Sequence, residues 1–131
     1  MTTTAAAAGT RRHTGTYPAE PRQVGLARAE LAGWLGGGPQ AGEAVLVASE
    51  FATNSVLYSA SRHGGAFTLR AEVRLDRVRI EVEDAGGLWR DGPRDDGRPH
   101  GFDVVAAIAG PGNWSIDGHD RGRVAWARLG R

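Results

Sequence analysis

The chain has 131 residues, a formal net charge of +1, 40% hydrophobic and 24% charged residues, and no cysteine. That length suits one domain with a single core, and the composition is that of a water-soluble globular protein. Disulfides and thiolate metal sites are excluded. All 16 basic residues are arginines and they are dispersed, so no basic stripe for nucleic acid emerges.

The N-terminus, MTTTAAAAGTRRH, has no apolar core, and its arginines follow the small residues, so it does not read as a secretory leader. No stretch approaches the roughly 18 apolar residues of a membrane span. The expected compartment is therefore the cytoplasm. Residues 1–12 are expected to form a disordered tail and residues 13–131 a single domain.

In chain order, HTGTY from His13 to Tyr17 fits a short edge strand stopped by Pro18. Pro21 opens a helical pattern to about Leu35, with Val24, Leu26, Ala27, Leu31, Trp34 and Leu35 available for burial. Proline in the first turn and glycines at the end are the expected punctuation. A second helix, from about Pro39 to Ser59, is apolar nearly all round and should lie inside the fold. Phe67 to Leu75 alternates apolar and polar residues, as does Val78 to Val82. These predict two strands with one wet face, joined as a hairpin near Asp76 and Arg77. Residues 85–100, AGGLWRDGPRDDGRPH, form a long Gly/Pro/Asp-rich connection of the kind that is functional or disordered. A short helix follows from Phe102 to Ala109, then strands around Trp114–Ile116 and Val124–Leu129. Trp34, Trp114 and Trp126 are expected in the core, and Trp89 in the long loop over a ligand. The order implies an α+β, two-layer α/β sandwich, with a mixed, mostly antiparallel sheet and three main helices on one face.

Three constellations carry chemistry. In AVLVASEFATNSVLY, Glu50 is the only charged residue, and a helix turns about 100° per residue, so Glu50 and Asn54 share a face. A carboxylate and a carboxamide in an apolar arc are costly unless something polar meets them. A cation with a water would satisfy both, since a carboxamide oxygen suits Mg²⁺ when phosphates supply its other ligands. A buried polar pair capping loop backbone is the readier reading of this pair alone. The second constellation is Asp84-Ala-Gly-Gly87 after a strand, where a carboxylate can accept from an exocyclic amine and glycine lets a ring approach the backbone. Ordinary turn chemistry is the readier reading of this stretch alone. The third is Gly101 and Phe102 opening a helix, whose backbone N–H groups favour anions. Arg98 and His100 stand beside it. No nucleophile elbow surrounds any serine, no Walker A sequence exists, and four scattered histidines suggest no metal site.

These constellations occur in the order of the GHKL ATPase superfamily, the Bergerat ATP-binding fold. Within it the chain resembles the RsbW-like anti-sigma factor serine/threonine kinases. VASEFATNSVLYS is similar to the N box, VEDAGG to the G1 box and PHGFDVVAAIA to the G2 box, and GRVAWARL to the last strand. The resemblance implies that Asn54 coordinates Mg²⁺ on the phosphates of ATP and that Glu50 is the general base toward a substrate hydroxyl. It implies that Asp84 accepts the adenine amino group, with Gly86 leaving room for the base. Residues 88–100 would form the ATP lid, and His100, Gly101 and Phe102 would receive phosphates. The implied partners are a sigma factor and a STAS-type anti-anti-sigma protein, with homodimerisation common in the family. Leu57, Tyr58 and Pro99-His100-Gly101-Phe102 depart from the usual pattern. A nucleotide-sensing or partner-sequestering module without turnover is the alternative, and a detached histidine-kinase catalytic domain a third.

Overall fold

A computed structural model describes residues 9–58, 64–75, 77–86, 101–119 and 122–130, with the backbone alone at Tyr58, Gly101 and His119. The elements run β1 (Thr10–Pro18), α1 (Pro21–Leu35), α2 (Ala41–Tyr58), β2 (Ala66–Arg74), β3 (Arg77–Asp84), α3 (Gly101–Ala109), β4 (Trp114–His119) and β5 (Gly122–Leu129). Five strands form one sheet in the order β1-β2-β3-β5-β4. Every described pairing is antiparallel, so the sheet is not mixed at the level of neighbouring strands. The two-layer α+β sandwich is as the sequence predicts.

α1 keeps the expected bounds. Pro21 stands in its first turn, and Gly36 closes it at φ 69° with its N–H on the Ala32 carbonyl at 3.0 Å. It buries Val24, Ala27, Leu31 and Leu35, one helical stripe. Leu26 lies off that stripe and is 48% exposed, against expectation. α2 lies between α1 and α3 and packs on the sheet. Val47 and Phe51 are fully buried, but Leu46 and Leu57 are exposed, so α2 is central without being enclosed.

The strand pattern places the core. Phe67, Leu69 and Ala71 of β2, Val78, Ile80 and Val82 of β3, and Ala125, Ala127 and Leu129 of β5 are buried under the helices. Alternate residues stand on the opposite face, which no helix among the described residues covers. There Arg70 bonds Glu83 at 2.6 Å, Arg12 bonds Glu72 at 3.0 Å and Arg79 bonds Glu81 at 2.8 Å. Trp126 belongs to that outer face, not to the core. Its ring lies under Arg79 at 4.6 Å and Arg128 at 5.3 Å, and its indole N–H donates to Asp117. The sequence expectation failed because alternation, not ring size, sets which side of β5 each residue takes.

β1 is longer than the HTGTY stretch that suggested it, because Arg11 and Arg12 also find partners. Arg12 pairs with Glu72, and Arg11 stacks on Trp34 at 4.9 Å. His13 also stacks on Trp34, with ring centroids 5.3 Å apart. Thus Trp34 is half-buried beneath β1 side chains, and His13 lies in a strand as the HTGTY stretch suggests. Tyr17 stacks on Phe67, donates to Glu30 at 2.5 Å and lies so close over Gly15 that a Cβ there would meet its ring.

Candidate functional site

The carboxyl end of β3 places Asp84 on the helix side of the sheet, in register with Val78, Ile80 and Val82. Two hydrogen bonds fix its carboxylate. The Ser55 hydroxyl donates to Oδ2 at 2.6 Å, and the Gly86 N–H donates to Oδ1 at 2.7 Å. Gly86 is buried at φ 79°, a left-handed conformation that glycine adopts without penalty. A side chain at this position would strain the turn that delivers its N–H to Asp84.

Asp84 is 5% exposed, and its carboxyl is pushed above the ordinary value of 3.8. Burial is the main cause, because removing a carboxylate from water disfavours its charge. The Ser55 and Gly86 bonds and the positive charge of Arg123 pull it back, while Glu83 raises it further. Arg123 reaches this point from β5, where its Cα pairs directly with Asp84. A terminal nitrogen of its guanidinium is buried.

α2 supplies the other half. Ser55 faces Asp84, and Asn54 precedes it by one residue. Asn54 is 3% exposed, and its side-chain nitrogen has no hydrogen-bond partner among the described residues. A buried amide without a partner costs about 1–3 kcal/mol and calls for a ligand or water. Glu50 stands one turn earlier and is half-buried. So α2 and β3 are tied together at Ser55 and Asp84, with Asn54 and Glu50 following along the helix.

α3 starts at Gly101, and the Phe102 ring lies 6.0 Å from Trp114. Phe102 thus packs through its side chain. His100 and the lid residues 88–100 lie outside the described residues, as does Trp89. Among the described residues there is no cluster of three or more His, Asp or Glu fit for a metal. A Mg²⁺ ion carried on phosphates needs few protein oxygens. The Asn54 side chain could offer its amide oxygen to such an ion, while its unpartnered nitrogen is a donor and suits an acceptor such as a phosphate oxygen.

Sequence reasoning missed Ser55 and Arg123. Ser55 was visible as a polar residue beside Asn54 in a mostly apolar helix. Arg123 was visible by alternation, since it shares parity with Ala125, Ala127 and Leu129 and so turns inward.

No family model matches the chain, and no curated protein matches it. Among solved structures it is similar to the RsbU and RsbW domains of Rv1364c from Mycobacterium tuberculosis, with a TM-score of 0.70 and 22% identity. The match covers 90% of this chain and 32% of that chain, so this chain spans about a third of its length. The class this defines is a two-layer α+β sandwich, and within it the fold is RsbW-like. Among the described residues no helix is long and apolar enough to cross a membrane.

Proposed function

We propose that this protein binds Mg-ATP at the Asn54–Asp84 end of the sheet and acts as an anti-sigma-factor-type regulator with serine/threonine kinase activity. The observation that carries the reading is the buried Asn54 amide nitrogen, without a partner among the described residues, next to a buried carboxylate already oriented by Ser55 and Gly86. Two groups of this kind in one place are costly for a fold that uses neither. The RsbW-like fold supports the regulatory part of the proposal. Its partners are then a sigma factor and a STAS-type anti-anti-sigma protein, and its compartment the cytoplasm.

Each residue has a distinct task. Asp84 accepts a hydrogen bond from the exocyclic amine of the base, and Gly86 leaves space beside it. Asn54 holds Mg²⁺, whose charge offsets the negative charge on the phosphates. The backbone at Gly101 and Phe102, with His100, receives phosphate oxygens at the start of α3. Glu50 takes the proton from a serine or threonine hydroxyl of the antagonist. The hydroxyl oxygen bonds to the terminal phosphorus, the bond from that phosphorus to the bridging oxygen breaks, and ADP leaves with its electron pair.

Asn54→Ala is expected to abolish Mg-ATP binding in a calorimetric titration. Glu50→Gln is expected to keep that binding and lower phosphotransfer to the antagonist by at least about a hundredfold, the usual weight of a general base. Unchanged affinity in the Asn54 variant would refute the site. Binding without transfer in the native protein would favour the sequestering module.

A further inference from the structure

Asp84 does not meet its ligand alone. Each of its carboxylate oxygens accepts one internal hydrogen bond, from Gly86 and from Ser55. A carboxylate oxygen has a second lone pair, so Asp84 keeps acceptor capacity and offers no proton when ionised. Directly across the strand pair stands Arg123, which has five N–H donors and no acceptor. Its position in β5 has the parity of the buried Ala125, Ala127 and Leu129, so it turns under the helices with Asp84. One of its terminal nitrogens is buried. The end of the sheet therefore presents an acceptor beside a donor, on neighbouring strands and on one face.

A purine edge that carries an amino group next to a bare ring nitrogen is complementary to that pair. Adenine has this arrangement: its 6-amino group donates, and N1 accepts. We propose that Arg123 is a specificity-determining residue of the base site, donating a hydrogen bond to N1 of the adenine whose amino group Asp84 accepts. The inference rests on the nucleotide reading above and adds a residue to it. A guanidinium serving only to balance the Asp84 charge would give no such dependence on the ring nitrogen.

The test compares Mg-ATP with Mg-1-deaza-ATP, in which a C–H replaces N1, and with Mg-7-deaza-ATP, altered on the other edge. Calorimetry on the intact native chain is expected to show 1-deaza-ATP binding about tenfold to a hundredfold more weakly than ATP, the range for a lost charge-assisted hydrogen bond. The 7-deaza analogue is expected to bind as ATP does. Arg123→Ala is expected to bind ATP and 1-deaza-ATP equally, both at the weaker affinity. Equal affinity of the native protein for ATP and 1-deaza-ATP would overturn the role of Arg123 while leaving the nucleotide site standing. Tighter binding of Mg-GTP than of Mg-ATP would overturn it too. No binding of any of these nucleotides would instead remove the nucleotide reading itself. Because the native chain alone gives the decisive comparison, a folding defect in the Arg123 variant does not blunt the test.

Discussion

Leu75 shows how a single residue carries conformational cost. It stands just after β2, in a turn, at φ 55° and is 86% exposed. Left-handed backbone costs a leucine roughly 1–2 kcal/mol, and no packing offsets it here. Leu75→Asn is expected to raise stability by about 1 kcal/mol, seen as a higher urea midpoint with an unchanged slope. Asp84 shows a cost with a different purpose. Burial raises its carboxyl, so the native state holds the proton to higher pH than the unfolded chain does. Its favourable contribution is complete below the ordinary value of 3.8 and is lost as pH rises through the elevated native value. Asp84→Asn keeps a carbonyl for the Gly86 N–H and can donate to the Ser55 hydroxyl oxygen. The variant is therefore expected to match the native protein near pH 3.5 and to exceed its stability at pH 7, by urea unfolding at both values. A native protein gaining stability on the variant as pH rises would contradict the assignment.

At the scale of elements, α2 organises the helical layer. It touches α1, α3, β2, β3 and β5, and Phe51 is fully buried at its centre. Phe51→Ala is expected to cost about 3–5 kcal/mol, because transfer and cavity terms add. Much of this layer is legible in the sequence. Pro21 and the glycines after Leu35 fix α1, and the alternation of Phe67–Val73 and Val78–Val82 fixes the β2–β3 hairpin. The Glu50–Asn54 spacing, Asp84 at a strand end and the helix after Gly101 are also local patterns, readable without tertiary contacts. What was not legible depends on partners far along the chain. Trp126 looks like a core residue until its parity with Arg128 is noticed, and its stack with Arg79 comes from another strand. Arg12 joins β1 because Glu72 awaits it 60 residues later. Ser55 gained meaning only when β3 brought Asp84 to 2.6 Å.

For the whole molecule, the sheet has two unlike faces. One carries the core and, at one end, the polar group of Asn54, Ser55, Asp84 and Arg123. The other carries alternating arginines and glutamates around Trp126, pairs that are partly exposed to water and worth about 0–1 kcal/mol each. Among the described residues, the buried polar residues Asn54, Ser55 and Asp84 gather at one end of the helix-covered face with Arg123 beside them, whereas His13, whose Nε2 is also buried, lies apart on β1. That concentration is expected of a binding site, since a ligand binding only the native state returns stability as its concentration exceeds Kd. The most direct test is a calorimetric titration of the native protein and of Asp84→Asn with Mg-ATP at neutral pH. The account predicts saturable heat for the native protein and none for a variant that is folded and at least as stable. Absence of binding by the native protein, or equal binding by both, would contradict it.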